Sequence, residues 1–577
     1  MYTLGLNAYH GDSSACIYRD TELIAATEEE RIRRIKHWAG LPTEAIKFCL
    51  QEAGITLDEV DYITVSRDPK AKFAQKALFA VKNGIGFSNI QDRLKNSFSI
   101  RRLKDDLAES LGFKSDALKA EVQFIEHHRS HMASAFHISP FEESAILTID
   151  GMGDFTSTMR GYGKGNKIEV FDSVSYPHSI GMFYTTFTQY LGFPHYGDEY
   201  KVMGLSPYGQ AKYVDKVRDV VIQKKNGLFE LNDKYFRHFK DGVAMSWNGG
   251  APTIGPMYTD YLVEQFGPLR QKGEKLTQYH MDLAASVQRY CEELIFFLAE
   301  GLYQKTGAKR LCIAGGVAQN SVANGKLVAN TSFEQLFVPP AGHDAGTSVG
   351  SALYFLHHVK DQPRRPFHHQ AYTGVKVASS EIENFLKDRG INYTRYDEDQ
   401  LIEVVSEKLL GANVIGWYQG RAEFGPRALG NRSIIVDPRR DDAKALLNEK
   451  IKKRESFRPF APSIIKEAVD EYFEQADSVP FMEKVFQIKK EKHEVIPAVT
   501  HVDGTGRLQT VEQQDNPRYY QLIKRFGEKS GVPIVLNTSF NENEPIVNLP
   551  EHALDCFLRT KMDVLVLEDC VIERASN

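Results

Sequence analysis

The chain has 577 residues, with 71 Lys and Arg against 76 Asp and Glu, which gives a formal net charge of −5. This mildly acidic balance argues against nucleic acid or an anionic membrane surface as the main partner. Hydrophobic residues make up 42% and charged residues 25% of the sequence, which excludes a disordered or fibrous chain. The length predicts several domain-sized units with clefts between them.

The cysteines and the apolar runs indicate the compartment. The six cysteines form no Cys-x-x-Cys pair, and several lie in apolar runs, as Cys312 does. Such usage is typical of buried free thiols in a reducing compartment. The N-terminus lacks a basic stretch followed by an apolar one, and no apolar run approaches the ~18 residues of a membrane span. We therefore expect a cytoplasmic protein with no membrane partner.

Predicted strands and helices alternate along the chain. The first segment predicts a strand at Tyr2–Leu6, a polar turn, and a hairpin over 15–18 and 22–26. Further strands are predicted at 61–65, 144–148, 309–314, 414–417, 534–536 and 564–567. Helical patterns cover 42–53, 282–304 and 442–452. This interleaving favours an α/β architecture.

One stretch poor in apolar residues predicts a domain boundary. Residues 356–374 contain two His-His pairs and a Pro-Arg-Arg-Pro sequence. This composition is typical of a linker between packed bodies. It predicts a first body over 1–355 and a second over 375–577.

Four residues of the first body are candidate metal ligands. His127 and His131 are four residues apart, so a helix places both imidazoles on one face. Asp150 follows the strand 144–148 and precedes a glycine-rich turn, where a carboxylate often faces a ligand. Asp344 lies between glycines that allow close backbone approach. This set suits a redox-capable or Lewis-acid divalent ion, although core histidines and turn-forming aspartates are the alternative.

Glycine-rich turns at strand ends are candidate phosphate cradles. They cover residues 7–14, 315–320 and 346–350, and none matches GxxxxGK[ST]. Lys201 follows two carboxylates and precedes Gly204, a grouping that could hold a ribose and a phosphate. An ordinary surface ion pair explains the same residues equally well.

The second body contains an arginine-dense run over 420–433, followed by another cationic stretch over 452–462. Its cations alternate with Gly, Pro and aromatic residues, which favours a shaped anion pocket over a solvated charged face. Because the whole chain is acidic, we expect a small anion there. Arg507 and the polar turn 536–541 are further candidates for this pocket.

Over nearly the whole chain, these motifs resemble the NodU/CmcH-type O-carbamoyltransferases, which act on antibiotics and nodulation factors. The most specific stretches are 127–136, 425–432, 458–462 and 537–541. The resemblance implies an actin/sugar-kinase-like first domain with duplicated RNase-H-like lobes, and a YrdC-like second domain. In this family the second domain makes carbamoyl adenylate from carbamoyl phosphate and ATP. The first domain then transfers the carbamoyl group to a hydroxyl of a small molecule.

The resemblance also implies roles for site residues. It implies Fe(II), or another divalent ion, on His127, His131, Asp150 and Asp344. It implies catalytic roles for His10, which orients or deprotonates the acceptor hydroxyl, and for Asp12, although Gly11 interrupts the family's His-Asp-x-Ser pattern. Adenylate contacts are implied for Glu199, Lys201, Gly315, Gly316 and Asn320. Contacts with carbamoyl phosphate and ATP, which comes with Mg²⁺, are implied for Arg427, Lys452, Arg458, Arg507, Asn537 and Ser539.

Two other functions fit parts of the sequence. The glycine-rich turns alone suit a kinase or ATPase of the sugar-kinase superfamily, but such an enzyme does not need the arginine-rich body. The implied first-domain fold also suits a tRNA-modifying carbamoyladenosine transferase or another RNA-binding protein, against which the net charge counts. The expected partners are carbamoyl phosphate, ATP and a small-molecule alcohol, and relatives often form homodimers. We expect the acceptor pocket in loops over 157–200 and 225–273.

Overall fold

The computed structural model describes residues 1–82, 103–112, 118–247, 249–271, 273–365 and 371–574. The chain divides into two compact units. The first comprises Met1–Ala323 and Leu327–His368, and the second comprises Asn324–Lys326 and His369–Asn577. Strands and helices alternate in both, which confirms the predicted α/β class.

The first unit begins with a five-stranded sheet. Its strands are β1 (Tyr2–Asn7), β2 (Ser14–Arg19), β3 (Glu22–Glu28), β4 (Tyr62–Val65) and β5 (Glu121–Phe124). They lie in the order β3-β2-β1-β4-β5, with β1, β4 and β5 parallel and β2 antiparallel to both of its neighbours. Strand β1 is buried along almost its whole length, as expected of a central strand covered on both faces.

A second sheet in the same unit repeats this arrangement. Its strands are β6 (Glu143–Gly153), β7 (Thr156–Lys164), β8 (Lys167–Ser175), β13 (Arg310–Ala314) and β14 (Gln335–Phe337). Between them lie the short hairpins β9 (Val221–Gln223) with β10 (Phe229–Leu231) and β11 (Met245–Ser246) with β12 (Thr253–Ile254). The order is β14-β13-β6-β7-β8, with β6, β13 and β14 parallel and β7 antiparallel to its neighbours. The two sheets therefore have the same topology, as duplicated lobes require.

Before residue 360, the α-helices that the structure describes are Glu29–Arg33, Thr43–Ala53, Phe73–Lys82, Leu103–Leu111, His127–Phe136, Ile180–Tyr190, Glu199–Leu205, Val214–Arg218, His238–Asp241, Asp260–Phe266, Gln278–Thr306, Ser321–Asn330 and Thr347–Leu353. Strands β7 and β8 and the helix Ile180–Tyr190 occupy most of residues 157–200, so this segment is not mainly a loop. Its contribution to an acceptor pocket stays a prediction. The second expected loop, 225–273, contains three short strands and two α-helices, and its residues 248 and 272 lie outside the described residues. Among the helices that the structure describes, none is long and apolar enough to cross a membrane.

The predicted linker, 356–374, starts inside a helix. Thr347–Leu353 continues as a π-helical turn, Tyr354–Val359, in which Leu356 and His357 are buried. His357 Nδ1 lies 2.8 Å from the carbonyl oxygen of Gln362. This histidine, which the sequence analysis assigned to a linker, is therefore a buried ring with a hydrogen-bond partner. The first unit thus extends to His368, further than predicted, and residues 366–370 lie outside the described part of the chain.

The second unit contains one nine-stranded mixed sheet. Its strands are β15 (Thr394–Arg395), β16 (Ile415–Tyr418), β17 (Arg432–Val436), β18 (Ala461–Ile465), β19 (Lys484–Gln487), β20 (Thr505–Val511), β21 (Ile534–Ser539), β22 (Val564–Leu567) and β23 (Cys570–Glu573), in the order β15-β23-β22-β16-β17-β21-β18-β20-β19. Its helices are Ser379–Asp388, Glu398–Leu410, Ala443–Leu446 with its π-helical continuation Leu447–Ile451, Val469–Tyr472, Pro517–Ser530 and Pro550–Arg559. Ile434 and Ile435 belong to different buried clusters, because successive strand residues face opposite sides of the sheet.

Candidate metal centre and active site

The candidate ligands of the first unit lie where parallel strands end. His10 follows β1, and His127 begins the helix His127–Phe136 soon after β5. Asp150 lies in the last part of β6, and Asp344 follows β14. Ligands bind at the carboxyl ends of strands in open α/β sheets, so this is where a site is expected.

The structure brings the four predicted ligands together in a buried cluster. Ligand atoms of His127, His131, Asp150 and Asp344 all lie within 4.8 Å of one another. The Nε2 atoms of His127 and His131 are 3.1 Å apart, since the two rings are one helical turn apart. Asp150 Oδ2 is 3.3 Å from His127 Nε2, and Asp344 Oδ1 is 3.3 Å from His131 Nε2.

These separations fit ligands of a single cation. Atoms that bind one ion at ~2.1 Å lie about 3.0–3.4 Å from each other. Asp344 Oδ1 is also buried and, in the described part of the chain, accepts no hydrogen bond of good geometry. A buried, unsatisfied carboxylate oxygen is costly, and a cation would satisfy it. The donor set of two imidazoles and two carboxylates suits a divalent transition metal.

Backbone contacts orient Asp150. The amide of Gly316 donates to its Oδ1 at 2.7 Å, which leaves Oδ2 facing His127. Gly315 has φ of +103°, and a Cβ atom there would lie 2.2 Å from the carbonyl oxygen of Ile149. The predicted glycines 315 and 316 therefore lie against the metal cluster, and glycine is required where the backbone approaches so closely.

His10 contacts the cluster through Asp344. Its Nδ1 atom lies 2.8 Å from Asp344 Oδ2, while Asp344 Oδ1 faces the two ligand histidines. One carboxylate thus contacts His10 and faces the two candidate ligand histidines. Because Nδ1 faces Asp344, the Nε2 atom of His10 is the nitrogen left for a substrate proton.

Opposite charges dominate the ionisation of the cluster. Burial lowers the pKa of His127, but Asp150 and Asp344 outweigh burial and raise it to about 9. Burial raises the pKa of Asp344, but His10, His131 and His127 hold it well below its usual value. Both carboxylates are therefore ionised at neutral pH, as cation ligands must be.

Asp12 lies in a second polar cluster, with Glu30 and His37. His37 Nδ1 is 2.7 Å from Asp12 Oδ1, and the His37 amide donates to Glu30 Oε2 at 2.8 Å. The sequence analysis missed His37, because it belongs to no motif and comes close only through the turn after the helix Glu29–Arg33. Asp12 thus contacts His37, and its described hydrogen bonds do not include His10.

The remaining predicted adenylate contacts already have partners within the protein. Lys201 Nζ pairs with Asp198 at 2.8 Å. Glu199 accepts a hydrogen bond from Thr185 at 2.5 Å, and burial raises its pKa. The Asn320 side chain caps the helix Ser321–Asn330 and exchanges two hydrogen bonds of 3.0 Å with Gln288.

In the second unit, the structure brings Lys452 and Ser539 together. Lys452 is buried, and its ammonium donates to the carbonyl oxygen of Ser539 at 2.5 Å and to its hydroxyl at 3.2 Å. It also donates to the carbonyl and side-chain oxygens of Asn541 at 2.9 and 2.7 Å. This ammonium therefore fixes the turn after β21.

Arg427, Arg507 and Asn537 form a second group in this unit. Asn537 donates to the carbonyl oxygen of Ala428 at 3.2 Å, next to Arg427. Burial and the nearby Arg427 together hold the pKa of Arg507 well below its usual value. Arg458 pairs with Glu455 Oε2 at 3.5 Å. Two like charges held close together favour an anion between them.

A buried cluster of two histidines and two carboxylates at the strand ends of duplicated sheets, with His10 beside one carboxylate, is the candidate active site of an α/β enzyme. The chain belongs to the carbamoyltransferase family. The model of the carbamoyltransferase N-terminus matches residues 2–353, and that of the carbamoyltransferase C-terminus matches residues 406–574. This confirms the predicted membership of the O-carbamoyltransferases.

Relatives along the whole chain agree with this membership. An uncharacterized protein of Synechocystis sp., sll1178, is 40% identical, covering 100% of this chain and 97% of its own. The nodulation protein NolNO of Sinorhizobium fredii is 39% identical over 98% of this chain and 80% of its own. The 3'-hydroxymethylcephem-O-carbamoyltransferase of Amycolatopsis lactamdurans is 27% identical over 77% of this chain and 80% of its own.

Proposed function

We propose that the protein is an ATP-dependent O-carbamoyltransferase acting on a small-molecule alcohol. Its second unit makes carbamoyl adenylate from carbamoyl phosphate and ATP, and its first unit transfers the carbamoyl group. The observation that carries the proposal is the buried cluster of His127, His131, Asp150 and Asp344 with His10 held on Asp344. Family membership indicates that the transferred group is a carbamoyl group. The cluster is the proposed place of its transfer.

In this proposal, the four clustered side chains hold Fe(II) or another divalent ion. When bound, such an ion polarises the carbamoyl oxygen as a Lewis acid. The chain's own contribution is to keep both carboxylates ionised through the neighbouring histidines. Gly316 fixes the orientation of Asp150, so that its free oxygen faces the ligand histidines.

His10 is the proposed base of the transfer step. His10 Nδ1 lies 2.8 Å from Asp344 Oδ2, which leaves Nε2 to take the proton of the acceptor hydroxyl. The hydroxyl oxygen bonds to the carbamoyl carbon, and the bond from that carbon to the phosphate oxygen breaks. The electron pair of the broken bond leaves with AMP. Asp12 is proposed to assist this step. The residues proposed to contact the adenylate are Glu199, Lys201, Gly315, Gly316 and Asn320.

The second unit is proposed to form the adenylate in two steps. Water first hydrolyses carbamoyl phosphate to carbamate and phosphate, and a carbamate oxygen then bonds to the α-phosphorus of ATP as pyrophosphate leaves. The residues proposed to bind carbamoyl phosphate and Mg²⁺–ATP are Arg427, Lys452, Arg458, Arg507, Asn537 and Ser539. The repulsion between Arg427 and Arg507 supports this role, because bound phosphate groups would relieve it. Linking carbamate to AMP gives a weak electrophile a good leaving group.

Pyrophosphate release from ATP and Mg²⁺, with and without carbamoyl phosphate, tests the proposal. We expect release that depends on carbamoyl phosphate and needs no alcohol. Pyrophosphate release that does not depend on carbamoyl phosphate would contradict adenylate formation. Phosphoryl transfer to a sugar without pyrophosphate release would contradict it as well. Salt-sensitive binding of tRNA would instead favour an RNA substrate.

A further inference from the structure

A tyrosine that the sequence analysis did not select lies beside the loop of His10. Tyr196 belongs to the turn that precedes the helix Glu199–Leu205. A Cβ atom built on Gly11 would lie only 2.6 Å from the Tyr196 hydroxyl oxygen. The hydroxyl therefore rests against the backbone between His10 and Asp12.

Gly11 is what permits this approach. A methyl group at position 11 would meet both the hydroxyl oxygen and the ring carbon that carries it, at 2.6 and 2.9 Å. The end of a tyrosine ring cannot bend away, so any larger residue here would move the whole ring. The glycine that interrupts the family's His-Asp-x-Ser pattern is thus matched to a tyrosine far along the chain.

His37 holds the tyrosine ring from another side. The two rings meet edge to face, with centroids 5.3 Å apart and an interplanar angle of 74°. Gly197, with φ of +81°, lets His37 pack against the same turn, since a Cβ there would lie 2.4 Å from His37 Nε2. Asp12 fixes His37 in turn through its Nδ1 atom. The position of the Tyr196 ring is therefore determined by Gly11 on one side and by His37 on the other.

The Tyr196 hydroxyl is available to a substrate. In the part of the chain that the structure describes, it makes no hydrogen bond. Burial raises the pKa of Tyr196 well above its usual value, and the carboxylates of Asp12, Asp344 and Asp150 add to this rise. The approach to Gly11 places the hydroxyl beside His10, whose Nδ1 atom lies 2.8 Å from the candidate ligand Asp344. The hydroxyl stays protonated, which makes it a neutral hydrogen-bond donor.

We infer that Tyr196 is a further catalytic residue, whose hydroxyl donates a hydrogen bond to the carbamoyl oxygen of the adenylate. The inference rests on the proposed function. When the acceptor oxygen bonds to the carbamoyl carbon, an electron pair of the carbonyl moves onto the carbamoyl oxygen. That pair returns as the bond to the AMP oxygen breaks, and the tyrosine keeps its proton throughout. A fixed donor at developing charge contributes about 10²–10³ in kcat.

Tyr196→Phe tests the inference, because it removes only the hydroxyl. Fe(II)-loaded protein is given ATP, Mg²⁺ and carbamoyl phosphate, with water or a 3-hydroxymethylcephem alcohol as acceptor, and pyrophosphate and AMP are measured separately. We expect normal pyrophosphate release and AMP release slowed by about 10²-fold. Tyr162→Phe, which removes a hydroxyl from β7 in the same unit, is the control and leaves both rates unchanged.

Gly11→Ala sharpens the test, since it displaces the hydroxyl without removing it. We expect its AMP release to fall to the level of Tyr196→Phe, and the double variant to fall no further. Additive losses, or full AMP release by Tyr196→Phe, would overturn the inference and leave the proposed function standing. A wild-type protein that releases no pyrophosphate, or releases it without AMP, would overturn the proposed function and the inference with it.

Discussion

The candidate sites of the two units have opposite electrostatic designs. In the first unit, carboxylates and histidines face each other, and Asp150 and Asp344 are ionised inside the protein. In the second unit, burial and, to a smaller extent, the nearby Arg427 hold the pKa of Arg507 well below its usual value. The first arrangement suits a cation, and the second suits anions. The comparison teaches that the two proposed steps, adenylate formation and carbamoyl transfer, call for pockets of opposite charge.

Asp344→Asn should have the largest effect on this contrast. The substitution removes the charge that faces both ligand histidines and His10, so the loss combines cation binding with acid–base catalysis. We expect AMP release to fall by about 10⁴-fold while pyrophosphate release continues. Metal content, measured by mass spectrometry of the purified protein, should fall as well. Asp361→Asn, at an exposed position of the same unit, is the control. Full metal content and unchanged AMP release would contradict the metal site.

Arg507→Met tests the other side of the comparison. It removes one of two neighbouring cations, so we expect pyrophosphate release to fall by about 10²–10³-fold. The free energy of unfolding should stay the same or rise, because the variant no longer keeps a charge close to Arg427. Denaturant titration measures this, with Arg525→Met, at an exposed arginine, as the control. Unchanged pyrophosphate release would remove Arg507 from the anion pocket.

His10→Asn should separate the two half-reactions. The variant loses the nitrogen that takes the acceptor proton but keeps the four cluster residues. We expect AMP release to fall by about 10²–10³-fold with normal pyrophosphate release and normal metal content. Transfer at the wild-type rate would show that another group is the base.

The pH dependence of stability should show a smaller effect at Asp12 and His37. Burial lowers the pKa of His37, but Asp12 outweighs burial and raises it from 6.5 to about 9. The stabilisation from His37 is therefore complete below pH 6.5 and is lost as the pH rises through about 9. The pKa of Asp12 is lowered, so its contribution is lost only in acid.

His37→Gln isolates the contribution of the His37–Asp12 pair to stability. Its free energy of unfolding, compared with that of the wild type at pH 6 and pH 9.5, should differ more at the lower pH, by on the order of 1 kcal/mol. His195→Gln, at an exposed position, should show no such change. An equal difference at both pH values would contradict a charged pair.

The metal cluster could be predicted from the sequence because its residues follow local rules. His127 and His131 share a helix face, and Asp150 comes at the end of a buried strand. The positions of these residues can be predicted because they depend only on helix periodicity and on the place where a strand ends. The duplicated topology adds Asp344, which follows the corresponding edge strand of the second sheet.

His37 and Tyr196 could not be predicted in this way. Their contact depends on positive-φ turns and on glycines that allow two segments to approach, and no periodic pattern records such an approach. The predicted linker was equally hard to interpret. The stretch 356–374 contains few apolar residues, but Leu356 and His357 lie in a buried helical turn. Tertiary contacts decide these positions, and local composition does not report them.

Asp344 has one consequence for how the enzyme is assayed. Its two oxygens face different partners, the candidate ligand histidines and His10, so in the proposed mechanism one carboxylate couples the bound ion to the orientation of the base. A sample that loses its ion in a chelating buffer would lose its proton acceptor at the same time. The apparent pH optimum of a partly loaded preparation would then report metal stoichiometry as much as the ionisation of a histidine. Kinetic profiles should therefore be normalised to the measured ion content of each batch.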